Sequence, residues 1–99
     1  MAAITVAAKG AGMTLAAASG GGDTVAGVGF RGAGWQVDGT PVLVVAVGAT
    51  PTIVTIDGVA QAALTSKTAV FPLNPGVYPR SLAVTYDQVT AVTVGAQVL

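Results

Sequence analysis

Apolar residues recur at every second position through the C-terminal part of the chain. In Ser81–Tyr86 this alternation starts at Leu82, and in Val89–Leu99 it is clear from Val92 onward. A period of two places the apolar residues on one face of an extended strand. The pattern therefore predicts two strands, joined by a turn at Asp87–Gln88.

The middle of the chain holds further apolar segments that favour strands. Pro41–Val47 is a short, continuous, Val-rich run, which is typical of a buried strand. Asp57–Gly58 is a strong hairpin signal, so we expect Thr52–Asp57 and Val59–Leu64 to pair across it. Lys67–Leu73 predicts another strand, and a loop rich in proline and glycine follows it.

The first 40 residues carry weaker signals. Ala2–Ala8 and Gly12–Ala17 are expected to form short strands, with a short helix at Met13–Ala18 as an alternative for the second. Ser19–Gly22 predicts a flexible loop, and the glycines of Ala26–Gly34 predict an irregular backbone.

Together these elements indicate an all-β fold. We expect a small β-sandwich of six to eight short antiparallel strands, and a small β-barrel is the alternative. The 99 residues are expected to form one domain, 1–99, whose N-terminal portion (about 1–40) is rich in glycine.

The scarcity of charge changes this picture. Four Asp and four Lys or Arg are the charged residues among 99, and 53% of the chain is hydrophobic. Soluble domains usually have about a quarter of their residues charged, so much of this surface is expected to lie against lipid or other protein.

The apolar run Pro41–Val47 is far shorter than the roughly 20 residues of a membrane helix, so we expect no membrane insertion. A signal peptide over Met1–Ser19 is not expected either, because the segment begins without a basic residue and Lys9 interrupts it. The composition therefore favours assembly with other protein.

Candidate catalytic chemistry is sparse in this sequence. The chain contains no His and no Cys, which rules out Ser/His/Asp and Cys/His catalysis. No closely spaced Asp run indicates calcium, and no glycine-rich loop ends in the Gly-Lys-Ser/Thr that binds phosphate. We interpret the acidic residues as turn-forming: Asp23, Asp38, Asp57 and Asp87. We expect no enzymatic activity, no cofactor and no bound metal.

The basic residues do not form a patch. Lys9, Arg31, Lys67 and Arg80 are scattered singly along the chain, and the formal net charge is zero. Nucleic-acid binding depends on clustered cations that neutralise phosphates. We therefore expect no direct contact with nucleic acid.

Partner contacts are expected from loops and from the outer face of one sheet, because sandwich strands direct alternate residues into the core. The Gly- and Pro-rich loops are Ser19–Gly34 and Asn74–Arg80. Aromatic residues and Arg are enriched at interface hot spots. Five residues in or beside these loops are candidate contacts, of which we expect at least two at an interface: Phe30, Arg31, Trp35, Tyr78 and Arg80. Phe30 and Trp35 have the alternative role of closing the sandwich end, and Arg31 and Arg80 have the alternative of being solvated side chains without a partner role.

The order of segments resembles a known family. Pro41–Val47 is followed by Ala-Thr-Pro-Thr-Ile-Val-Thr-Ile at 49–56 and by Ala-Val-Phe-Pro-Leu at 69–73. A Pro/Gly/Tyr loop then leads to Leu-Ala-Val-Thr-Tyr-Asp-Gln-Val-Thr-Ala-Val-Thr-Val at 82–94, and Gly-Gly-Asp-Thr at 21–24 fits the same pattern. Over roughly residues 20–99, the chain is similar to the small head decoration, or cement, proteins of tailed bacteriophages.

This resemblance implies a structural protein of the virion. It implies a β-sandwich on the outer surface of the capsid that binds and stabilises the lattice of the major capsid protein, self-associates as a homotrimer, and has no catalytic residues. The alternatives are a tail or fibre structural module and a carbohydrate- or host-binding β-sandwich. The last is disfavoured because five aromatic residues must also supply the core.

Overall fold

The structure is a computed structural model that describes residues 2–7, 12–26, 41–73 and 81–98. All regular secondary structure in these ranges is β-strand. The strands are β1 (Ala2–Ala7), β2 (Ala16–Ala17), β3 (Asp23–Ala26), β4 (Pro41–Val47), β5 (Val54–Ile56), β6 (Val59–Ala60), β7 (Lys67–Pro72), β8 (Ser81–Tyr86) and β9 (Val92–Val98).

Strand β1 joins two sheets. Hydrogen-bonded neighbours follow the order β6-β5-β8-β3-β1-β9-β4-β7, and β2 pairs with β9 beside this path. The first part of β1 pairs with β3 through Ala2–Thr5, and its end pairs with β9 through Val6 and Ala7. Because one strand belongs to both sheets, the nine strands curl into an open half-barrel.

The core fills the concave side of this half-barrel. Every second residue of β4 and β9 points into it, so Leu43 lies beside Ala96 and Val45 beside Val94. Strands β3, β5 and β8 of the other sheet contribute to the same cluster, as do Leu64 and Leu73. Ile4, Val6, Ala69, Phe71 and Tyr86 pack against its margin. In β8 and β9 the core-facing residues are therefore apolar, as their alternation predicts.

The predicted all-β class is confirmed, and a curled open sheet is consistent with a small sandwich or barrel. The described strands number nine rather than six to eight because β2 and β6 have only two residues each. Pairing is antiparallel except for the two pairs made by β1, which are parallel. Residues 12–18 contain no helix, so the strand prediction there is confirmed only for Ala16–Ala17.

Several predicted segments are shorter than expected, and the strand predicted at Thr52–Asp57 covers only Val54–Ile56. Strand β6 covers Val59–Ala60, one further bond of the same ladder joins the Gln61 amide to the Val54 carbonyl, and Leu64 pairs separately with Thr52. Strand β9 begins at Val92, and Val89 belongs to the preceding turn, where its carbonyl accepts the Val92 amide. The Asp57–Gly58 turn is confirmed; φ is positive at both residues (51° and 82°), as a two-residue hairpin of this kind requires.

Candidate functional site

The predicted contact residues Phe30, Arg31, Trp35, Tyr78 and Arg80 lie outside the described residues. These five residues fall in the ranges 27–40 and 74–80, and the strands on either side of each range are described and lie next to each other in pairs. Ala26, at the end of β3, pairs with Ser81 of β8. The Leu73 amide, after β7, donates to the carbonyl of Pro41 at the start of β4, at 2.8 Å. Both segments are therefore attached to the sheet at the same two places.

The outer face of β7, β4 and β9 carries no charged residue. The registers place its nine positions in three rows across the strands: Pro72, Val42 and Gln97; Val70, Val44 and Gly95; Thr68, Ala46 and Thr93. We call these nine residues the outer face. An extended surface without charge is unusual on a solvated sheet, where polar and charged residues normally alternate with the core residues.

The chain itself covers one side of the outer face. Met13 and Leu15 lie over Gly95, where an added Cβ would come within 3.0 Å of the Met13 Sδ and 3.1 Å of the Leu15 Cδ2. Val44, in the middle, is 7% exposed. On the β7 side, Val70 is 53% exposed. The accessible part of the outer face therefore lies along β7.

The backbone of β7 is also open on one side. Strand β4 pairs with it along one edge, and no strand in the described ranges pairs with the other. The Leu73 amide donates to the Pro41 carbonyl, and in an antiparallel ladder the backbone groups of every second residue point to the same neighbouring strand. The N–H and C=O groups of Lys67, Ala69 and Phe71 therefore point toward β4. The backbone groups of Thr68, Val70 and Pro72 therefore point to the open edge, and Pro72 has no N–H to offer there.

A buried polar contact lies on the other side of the fold. Asp23 begins β3 and is 1% exposed, yet its Oδ2 accepts hydrogen bonds from the Tyr86 hydroxyl at 2.8 Å and from the Ser19 amide at 3.2 Å. Burial and the hydrogen bond to this carboxylate raise the pKa of Tyr86 well above its usual range, so the hydroxyl stays a donor. The sequence interpretation of Asp23 as a turn-forming residue agrees with its contact to the Ser19 amide, but it did not predict the hydrogen bond from Tyr86.

A cavity of about 220 Å³ lies beside Asp23, where β1 passes from β3 to β9. Small and apolar residues make up most of its wall, including Ala3, Ile4, Met13 and Ala16. Asp23 is among its lining residues, and the carboxylate of Asp23 is held by Tyr86 and Ser19. This arrangement contains a structural hydrogen-bond network rather than a paired acid and base.

The other acidic residues in the described ranges act on the backbone. Asp57 forms the β5–β6 turn. Asp87 Oδ1 accepts the Ile53 amide at 2.8 Å, and the Asp87 amide donates to the Ile53 carbonyl at 3.2 Å. The described residues hold no group of three or more His, Cys, Asp or Glu that could bind a metal ion.

No helix in the described ranges is long and apolar enough to cross a membrane. The sequence matches no family model, and the searches of curated proteins and of solved structures return no match.

Proposed function

We propose that this protein is a structural component of a bacteriophage virion. It binds the outside of the capsid, contacts the major capsid protein and stabilises its lattice, with self-association of the bound copies into a homotrimer. The protein acts by binding and not by catalysis.

The observation that carries this proposal is the accessible part of the outer face along β7, where Thr68, Val70 and Pro72 are exposed and none carries a charge. A protein that works by covering another protein surface needs such a face, because buried charges are costly and apolar area gains about 25 cal/mol per Å² when it leaves water. The whole chain has an accessible surface of 4986 Å² and eight charged residues, which extends the same argument beyond one face.

The sequence resemblance gives the proposal its specific form. The segments that resemble head decoration proteins coincide with strands β4, β5, β7, β8 and β9. Weak contacts of many identical copies with a repeating lattice add up through multivalency, so each copy needs only a modest interface. A small domain with little chemistry of its own fits this task.

Rebinding to particles tests the proposal. Heads prepared without the chain are mixed with the purified chain and sedimented, and the temperature at which they release DNA is measured with and without it. We expect the chain to sediment with the heads and to raise the release temperature. Tyr78→Ala combined with Arg80→Ala should weaken this binding while leaving the melting temperature of the free chain unchanged.

Two other outcomes would exclude the proposal, and a third would move the contact to another surface of the chain. If the chain sediments with tails and not with heads, it is a tail or fibre module. If it binds neither part but is retained on immobilised glycans, it is a host-binding domain. Normal head binding by the double variant would remove the 74–80 segment from the interface and leave the outer face as the contact.

A further inference from the structure

We infer that the open edge of β7 pairs with the same edge of a second copy of this chain, so that the β9-β4-β7 sheets of two copies join into one continuous sheet about a two-fold axis. This inference concerns the purified protein and does not depend on the proposed capsid function.

The edge is suited to strand pairing because it is exposed, apolar and nearly without charge. Natural edge strands usually avoid pairing through charged residues, bulges or a cover. Strand β7 has six residues and one charge, Lys67 at its beginning, and Val70 is 53% exposed. Strand β6, at the other end of the strand order, has two residues and offers no comparable edge.

The backbone groups at this edge complement themselves when two copies run antiparallel. With Ala69 opposite its own copy, Thr68 lies opposite Val70 of the second copy, and each pair exchanges two N–H···O=C bonds. All outward N–H and C=O groups of Thr68 and Val70 are then paired. Pro72 lies opposite Ser66 of the second copy, whose amide already donates to Gly48, so the outward Pro72 carbonyl stays unpaired at the end of this stretch.

The two neighbouring registers also leave outward carbonyls without partners. With Val70 opposite its own copy, the Thr68 carbonyl faces Pro72, which cannot donate. With Thr68 opposite its own copy, the Val70 carbonyl faces Ser66, whose amide already donates to Gly48 at 2.7 Å. An unpaired backbone group costs about as much as a lost hydrogen bond, so backbone pairing disfavours the register centred on Thr68 and leaves those centred on Ala69 and Val70 about equal.

Side chains favour the register centred on Ala69. It places Lys67 opposite Phe71 of the second copy, where a cation and an aromatic ring attract each other, and keeps the two Lys67 side chains apart. On the outer face it places Thr68 opposite Val70, which are β-branched residues that pack well across strands. The contact is isologous and closes with two copies, so it is distinct from the three-fold contact that a homotrimer needs.

Cysteine cross-linking tests the register, because the chain has no cysteine of its own. In the inferred dimer the two Ala69 Cα atoms lie about 4.5 Å apart, as in a non-hydrogen-bonded antiparallel pair. The two Thr68 Cα atoms lie about 8 Å apart, beyond the roughly 7 Å limit for a disulfide. With oxidised glutathione as the oxidant, Ala69→Cys should form a covalent dimer and Thr68→Cys, the matched control, should not. Cross-linking of Thr68→Cys alone, or of neither variant, would overturn the inference.

Sedimentation analysis measures the non-covalent dimer. Because a strand-edge contact is small, we expect a weak monomer–dimer equilibrium, visible between about 10 μM and about 1 mM. Val70→Lys should weaken it by about tenfold or more, because a charge at the edge opposes pairing. The matched control Val59→Lys alters a residue that is 63% exposed on β6 and should leave the equilibrium unchanged. Equal effects of the two variants, or a wild-type chain that is monomeric throughout, would contradict the inference.

Discussion

Replacing Tyr86 by Phe removes the hydroxyl that donates to Asp23 and leaves the aromatic ring in place. The contact is 2.8 Å long, and its acceptor is a carboxylate that is 1% exposed. Hydrogen bonds to charged groups contribute about 1.5–3 kcal/mol, and water cannot easily replace a donor to so buried an acceptor. Since Tyr86 itself is only half-buried, we expect Tyr86→Phe to lower the free energy of unfolding by about 1.5–2 kcal/mol.

Urea unfolding at neutral pH measures this loss, and the melting temperature should fall by roughly 6–16 °C for a domain of this size. Thr85→Val is the matched control, because it removes an exposed hydroxyl from the neighbouring position of β8. We expect it to change stability by less than about 0.5 kcal/mol. A double-mutant cycle with Asp23→Asn isolates the pair: the two substitutions should be clearly non-additive.

The pH dependence gives a second, independent readout. The pKa of Tyr86 is raised in the folded protein by burial and by Asp23, whereas an unfolded tyrosine ionises near pH 10. The unfolded state therefore loses its proton first. The stabilising contribution of Tyr86 is complete below about pH 10 and declines above it by about 1.4 kcal/mol per pH unit. The free energy of unfolding of Tyr86→Phe should therefore fall less steeply above about pH 10 than that of the wild-type chain. If Tyr86→Phe leaves both the neutral stability and the alkaline slope at the wild-type values, the Asp23–Tyr86 contact does not have the role assigned to it.

Two further perturbations test other parts of the fold. Gly22→Ala should lower the free energy of unfolding by about 2 kcal/mol, because φ is 92° and the added Cβ would lie 2.9 Å from Thr85 Cγ2. In the control Gly20→Ala the added Cβ meets nothing within 4 Å, so its effect should be nearly neutral. Equal melting temperatures of the two variants would contradict this. Deleting Ala96–Leu99 removes the pairing of β9 with Pro41–Leu43 and with the end of β1, together with the buried side chains of Ala96 and Val98. The free energy of unfolding should fall by about 3 kcal/mol or more. An unchanged melting temperature would refute the role of this strand end.

The sequence predicts the strands that bury one face. In β4, β8 and β9 the buried positions are visible in the sequence as a continuous run or an alternation of apolar residues, mainly Val and Leu. The bounds of these three strands differ from the expected ones by at most a few residues. The Asp57–Gly58 turn is equally legible, because few residue pairs adopt positive φ twice. Local signals of this kind depend on neighbouring residues alone.

Features that depend on distant residues were not predictable. Asp23 and Tyr86 are 63 residues apart, and nothing near either one indicates the other. Ser19–Gly22 has the composition of a flexible loop but forms a turn, and its Ser19 amide donates to the same Asp23 carboxylate that distant Tyr86 contacts. The parallel pairing of β1 likewise follows from packing against two sheets rather than from its own residues. The open edge of β7 is visible only once the strand order is known.

Electron cryo-microscopy of particles purified from the source of this chain tests the central claim most directly. If the protein covers a capsid, density for a 9.6 kDa β-domain must appear on the outer surface of the head, repeated with the lattice of the major capsid protein and in contact with it. The account predicts this density in particles that contain the chain and its loss from particles that lack it. Density confined to the tail, or particles with no trace of the chain, would contradict the account.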